Sequence, residues 1–291
     1  MSGLLTNLTP NFLLKYYNSI SNKLKYGNRL LSIGSNVSIV NSTLGFKNSF
    51  GSNSSVLNLV SLDGLSIGIG AQIKNSRLGK NNTIGVNAQI DDSEFGDNAL
   101  VYDRAYIVKS KLGSFNNIYK NACLQQVNMG SYSYIGQNPI VSRTSIGKFC
   151  SIGPNFISGW GVHPTDGVST HPMFYSTLKH NGLSFTEKNK IEEYKPISIG
   201  SDVFIGMNVL VLDGVEIGDG AVIGAGTVVS KNIPPYAIAV GSPMQIIKYR
   251  FQLEEIEELL KIKWWDWEYE KLKQVELYFN DVKSFIAKHK M

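Results

Sequence analysis

The stretch Ile67-Gly68-Ile69-Gly70-Ala71-Gln72-Ile73-Lys74-Asn75-Ser76-Arg77-Leu78-Gly79 is answered 17 residues later by Ile84-Gly85-Val86-Asn87-Ala88-Gln89-Ile90-Asp91-Asp92-Ser93-Glu94-Phe95-Gly96. Large apolar, small and Gly positions coincide, and the match extends far beyond the pair. One ruler of 17 runs through Ile67, Ile84, Val101, Ile118, Ile135 and Ile152. A second holds Leu78, Phe95, Leu112, Met129 and Ile146, and a third Ile73, Ile90, Ile107, Leu124 and Val141. Steps of 6, 5 and 6 separate the three. Run backwards, they land on Val56, Phe50, Leu44, Ile39 and Ile33, with a miss only at Ser61. After residue 198 the pattern resumes in steps of six: Ile199, Ile205, Val211, Ile217, Ile223 and Val229.

A period of 17 or 18 divided in three describes a triangular coil with one short strand per side. Each apolar residue points inward and stacks on its equivalent one coil away, so stability comes from neighbouring coils. Every corner needs a residue that tolerates positive φ. Asn36, Asn53, Gly70, Asn87, Asn138, Asn155, Asn208, Gly220 and Gly226 stand at such points, and Ala71, Ala88, Ala105 and Ala122 form a small column beside them. The fold expected is an all-β solenoid, a left-handed parallel β-helix.

Composition narrows the function classes. Hydrophobic residues make 43% of the 291, enough for a core, while charged residues at 18% are too few for a disordered chain or a long coiled coil. No apolar stretch approaches the ~18–20 residues of a membrane span. The net charge of +5 is concentrated at one end. Residues 1–30 carry Lys15, Lys23, Lys25 and Arg29 with no acid, so no basic stripe for nucleic acid is expected. Cys123 and Cys150 make no disulfide framework. With no signal peptide read at the N-terminus, the expected location is cytoplasmic.

A solenoid needs caps at its exposed ends. Leu13, Tyr17, Ile20 and Leu24 form a helical stripe after Pro10, so residues 1–30 are expected to be an N-terminal helical cap. The same basic, amphipathic segment also suits weak contact with a membrane surface. Residues 31–250 are expected to be the β-helix, and 251–291 a helical C-terminal segment. There a helix is expected over Gln252–Lys261, then a packed turn at Trp264–Trp267, docked on the solenoid in preference to serving as a ligand platform, then a second helix over Glu268–Lys288. Inside the β-helix the ruler vanishes over an excursion, 158–196. A break of this length in so regular a fold usually carries function.

The excursion holds His163, His171 and His180, three of the four histidines. A zinc site needs ligands converging from rigid elements. Three histidines in one loop do not promise that, and no metal is expected. The run from Gly159-Trp160-Gly161-Val162-His163-Pro164 to Thr170-His171-Pro172, with Lys195-Pro196-Ile197-Ser198-Ile199-Gly200, resembles the xenobiotic acetyltransferase and polysaccharide O-acetyltransferase branch of the hexapeptide-repeat acyltransferases. Further matches are Ile223-Gly224-Ala225-Gly226-Thr227, Gly241-Ser242-Pro243 and the Trp264–Trp267 cluster.

That resemblance implies a homotrimer with acetyl-CoA as co-substrate and active sites in clefts between subunits. His163 falls where the family has its catalytic base. His171 stands where the motif often has Tyr, as an acceptor-side or a structural residue. Asp166 would orient a histidine, contact the acceptor or remain solvated, and Trp160 and Phe204 would also face the acceptor. Ala225 and Gly226 match positions whose backbone meets the pantetheine, with Met207 near the reacting thioester and Ser230 and Lys231 beyond; Lys231, Lys248 and Arg250 would meet the phosphates, or the lysines remain solvated. Phe204 replaces the family's usual Trp, and Met207 a small or hydroxyl residue, which leaves the oxyanion donors open. The function expected is O-acetyl transfer to a sugar hydroxyl of a surface polysaccharide or its precursor. Two alternatives stand beside it: acetylation of an antibiotic, and a non-catalytic saccharide-binding scaffold.

Overall fold

The computed structural model describes residues 21–22 and 25–290. Three parallel sheets of twelve, ten and nine short strands wrap a single apolar interior. The first runs from Leu30–Ile33 and ends in the antiparallel pair Ala237–Val240 and Gln245–Tyr249; the second runs from Ser38–Val40 to Val228–Val229, the third from Thr43–Leu44 to Glu216–Ile217. Register follows the rulers: Ile84 pairs with Ile67 and Val101, Ile90 with Ile73 and Ile107, Phe95 with Leu78 and Leu112. This is the architecture of the left-handed β-helix expected from the period. Ser61 keeps its place inside the stack, its hydroxyl buried with no hydrogen-bond partner.

Corner columns explain why short strands suffice. Asn121, Asn138, Asn155 and Asn208 all have φ near +57° to +60°, which Asn tolerates better than other side chains. Each of the first three donates its amide to the next Oδ1, at 2.8, 3.0 and 2.8 Å. The ladder ends at Gly226, where a Cβ would meet nothing within 4 Å. At another corner Phe115, Tyr132 and Phe149 stack at 5.3 and 4.8 Å, and Trp264 closes the row at 5.0 Å.

Trp264 belongs to the C-terminal segment, which docks on the solenoid as expected. Tyr236 packs there with Ile256, Leu259, Ile262, Trp265 and Phe285. The first helix of this segment, α1, spans Leu253–Ile262, and Glu255 accepts from the Gln252 N–H. The single helix expected over Glu268–Lys288 is instead three pieces: a 3-10 turn Tyr269–Leu272, then α2 (Lys273–Leu277) and α3 (Val282–His289). Asp281 causes the break by capping α3 through the Ser284 N–H, a role that suits Asp better than a helix interior. The cap expected at 1–30 lies largely outside the described residues. Within them, Asn22 is buried and donates to the Val37 carbonyl at 2.9 Å.

Candidate active site

The excursion leaves the solenoid at a corner. Asn75, Asp92, Lys109, Gln126 and Arg143 form one positive-φ column at spacing 17, and Trp160 is its next member at φ 90°. Flanking Gly159 and Gly161 are also left-handed, at φ 81° and 88°. Neither could carry a side chain. A Cβ on Gly159 would lie 2.6 Å from the Ser142 carbonyl, and one on Gly161 2.9 Å from that of Glu193. The chain is thus turned outward at a point the repeat had already prepared.

Asp213, one coil on, ties both ends of the excursion together. Its Oδ2 accepts from the Gly161 N–H at 3.0 Å and its Oδ1 from the Lys195 N–H at 3.2 Å. Val162 N–H donates to the Glu193 carbonyl at 2.8 Å. The Arg143 guanidinium lies 3.8 Å above the Tyr194 ring. His163 therefore stands one residue beyond this clamp.

His163 Nδ1 lies 2.9 Å from the Thr170 carbonyl oxygen and 2.8 Å from Tyr175 Oη. A carbonyl only accepts, so the proton of the neutral ring belongs on Nδ1 and Nε2 carries the lone pair. Nε2 is thus the nitrogen able to take a proton from another molecule. His171 is used differently: its Nδ1 accepts from the Met173 N–H at 3.2 Å and caps the 3-10 turn Pro172–Phe174. His180 Nε2 pairs with the buried Glu193 carboxylate at 3.3 Å. No two of the three histidines share a partner.

Tyr175 is buried. Its phenol is pushed above the usual range by desolvation, with the charges of Glu193 and Tyr194 adding to the effect. Cys150, buried in the stack, is pushed up to about 12 chiefly by burial, so its thiol stays protonated and is no nucleophile. Asp166 is exposed on the loop.

The remaining candidates lie on the coils after the excursion. Trp160, Phe204 and Met207 are 50%, 48% and 49% exposed. Met207 accepts from the Gly226 N–H at 2.9 Å, which joins two of the candidates on successive coils. Ala225, Ser230 and Lys231 are exposed, as is Lys248 in the terminal hairpin opposite Ile238. Arg250 is already engaged: its Nη1 donates to Asp202 at 2.9 Å and to the Gly220 carbonyl at 2.8 Å. Among the described residues no hydrogen bond joins His163 to these coils. The roles of Asp213 and Tyr175 were missed from the sequence. Tyr175 lies 12 residues from His163 with no periodic relation to it, and Asp213 looks like any turn aspartate.

The family model that matches is bacterial transferase hexapeptide (six repeats), over residues 196–231. The chain carries hexapeptide repeats of the transferase type. This matches the family resemblance read from the sequence. Over 112 residues the chain is 38% identical to a chloramphenicol acetyltransferase of Escherichia coli, covering 38% of this chain and 52% of that protein. A probable macrolide acetyltransferase of Lysinibacillus sphaericus is 40% identical over 121 residues, 40% of this chain and 64% of that one. The chain thus spans about half the length of the first of these relatives. Among solved structures, the polySia-specific acetyltransferase NeuO aligns with 85% of this chain and 94% of its own at 22% identity and TM-score 0.37. A hexapeptide-repeat acetyltransferase of Vibrio cholerae, solved with acetyl coenzyme A, aligns with 46% of this chain and 72% of its own at 22% identity and TM-score 0.28.

Proposed function

We propose that this hexapeptide-repeat protein is an acetyl-CoA-dependent O-acetyltransferase in which His163 is the general base. The observation that carries the reading is the Nδ1 contact with the Thr170 carbonyl, which leaves Nε2 as a fixed acceptor in the loop that interrupts the solenoid. A hydroxyl is too weak an acid to attack a thioester unaided. As its oxygen bonds to the thioester carbon, its proton passes to Nε2; collapse of the tetrahedral adduct then breaks the C–S bond, and the same proton goes to the departing sulfur. General-base help of this kind contributes about 10²–10⁴-fold. Burial keeps the Cys150 thiol protonated, so that residue carries no acyl group in the proposed transfer. Similarity to relatives named acetyltransferases supports the reaction class.

Acetyl-CoA fits the late coils. At Gly226, with φ 71°, a Cβ would meet nothing within 4 Å, so the backbone there is approachable. Exposed Ser230, Lys231 and Lys248 supply a donor and cations for pantetheine and phosphates. Arg250 would contribute only through what Asp202 leaves free. The half-exposed faces of Trp160, Phe204 and Met207 are suited to cover by a second subunit, so a homotrimer with inter-subunit clefts is part of the proposal. A cytoplasmic location is part of it too. Among the described residues no helix is long and apolar enough to cross a membrane.

For the acceptor we favour a sugar hydroxyl of a surface polysaccharide or its precursor. Thr165, Asp166, Ser169, Thr170 and His171 give the loop more polar groups than aromatic ones, as a saccharide requires. Antibiotic acetylation is the second reading, favoured by the names of the relatives. The test is acetyl transfer by the purified protein to a panel of glycans, nucleotide sugars, chloramphenicol and macrolides. Transfer to glycan hydroxyls with inert drugs is expected. Efficient drug acetylation with the whole sugar panel inert contradicts the acceptor assignment.

A further inference from the structure

Resting on the reading of His163 as base, we propose that Tyr175 is a positioning residue for it, a second oxygen that fixes the imidazole through Nδ1. Three observations converge. Tyr175 Oη lies 2.8 Å from Nδ1, and this is the hydroxyl's only hydrogen bond among the described residues. The two rings meet edge-on, at 85° and 6.2 Å between centroids. Tyr175 is buried although its partner is exposed, so the fixed member of the pair is the tyrosine.

The chemistry gives the contact a direction. With Nδ1–H donated to the Thr170 carbonyl, Tyr175 Oη offers a lone pair to the same proton, and the donor is shared between two oxygens. One acceptor would leave the ring free to swing about that bond, whereas two define its plane and hence the line of the Nε2 lone pair. When Nε2 takes a proton the ring becomes a cation, and both oxygens then accept from a charged donor, a stronger contact. Desolvation keeps the phenol protonated and neutral, so it remains a hydroxyl acceptor throughout.

The local sequence delivers Tyr175 to this place. Pro172 opens a 3-10 turn, the Tyr175 N–H donates to the Pro172 carbonyl at 3.1 Å, and the Lys190 N–H donates to the Tyr175 carbonyl at 2.9 Å. His171 caps that same turn. It therefore acts on His163 at one remove, through the turn that carries Tyr175.

Tyr175→Phe removes only the oxygen. Turnover is expected to fall about tenfold, the size of one hydrogen bond to a charged group, while KM for acetyl-CoA stays unchanged. In the His163→Ala background, Tyr175→Phe should have no further effect on the residual rate, because both act through one group. Independent losses in the double variant would overturn the proposal, as would an unaltered kcat in the single one. Long-range ¹H–¹⁵N spectra of the unsubstituted protein give a check free of any folding defect. The His163 ring should carry its proton on Nδ1, and an Nε2-protonated ring contradicts the shared-donor geometry. If His163→Ala itself keeps full turnover, the base assignment fails instead. If His163→Ala is inactive and Tyr175→Phe fully active, only the positioning role fails.

Discussion

Asp213→Ala tests how the solenoid controls the excursion that carries His163. The carboxylate accepts from the N–H groups of Gly161 and Lys195, residues 34 apart in sequence that form the two feet of the excursion. Hydrogen bonds to a charged acceptor contribute up to about 1.5–3 kcal/mol each when buried. Here the Gly161 contact is only part-buried and the Lys195 contact exposed, so we take about 2 kcal/mol for the pair. Those contacts restrain the excursion and not the coils, whose stack of Ile152, Ile205 and Ile223 lies elsewhere. Their loss should therefore raise local opening of the loop about thirtyfold without lowering global stability by a similar amount. Hydrogen exchange reads this directly. The amides of Gly161, Val162 and Lys195 should lose protection in Asp213→Ala, while those of Ile152 and Ile205 keep it. Turnover should fall because His163 stands two residues beyond Gly161. Unchanged exchange at the loop feet, or equal loss of protection throughout the coils, would refute the clamp.

Further outcomes follow from the stack and from one half-buried acid. Ile118 is fully buried between Val101 and Ile135, so Ile118→Val should fold with a loss of about 0.5–1.5 kcal/mol in denaturant titration. Ile118→Asp should yield no folded protein, because it buries an unpaired charge. Asp202 is raised from the ordinary 3.8 mainly by desolvation, with Arg250 opposing that shift. The folded state thus holds this proton more tightly than the unfolded one. The associated stability is fully present below pH 3.8 and is lost as pH rises through the folded value. Titrating stability from pH 3 upward in the wild type and Asp202→Asn should show that falling component only in the wild type.

What the sequence made legible was whatever the period governs. Inward positions such as Ile84 and Ile135, corner residues such as Asn138 and the start of the excursion all follow from a repeat whose geometry is fixed coil by coil. Trp264 could be placed against the solenoid because a bulky aromatic cluster past the last coil needs an apolar partner, though not against Phe149 in particular. Where the period stops, so does the reading. His163 stood out through resemblance, but the oxygens on its Nδ1 come from Thr170 and Tyr175, brought in by a loop path that no spacing encodes. Arg250 shows the converse. A basic residue close to the proposed phosphate site reads as a ligand contact, yet the fold sets its guanidinium against Asp202 and the Gly220 carbonyl. The break between α2 and α3 was visible only as one acidic residue, Asp281, whose capping role depends on a chain direction set by packing.

The central claim is that His163 is the proton acceptor in transfer from acetyl-CoA. Its most direct test is the single-turnover rate of acetyl transfer by His163→Ala against the wild type, with CoA affinity measured on the same preparations by calorimetry. The account predicts a rate lower by about 10²–10⁴-fold with CoA affinity essentially unchanged. A His163→Ala protein that transfers acetyl groups at the wild-type rate would contradict it.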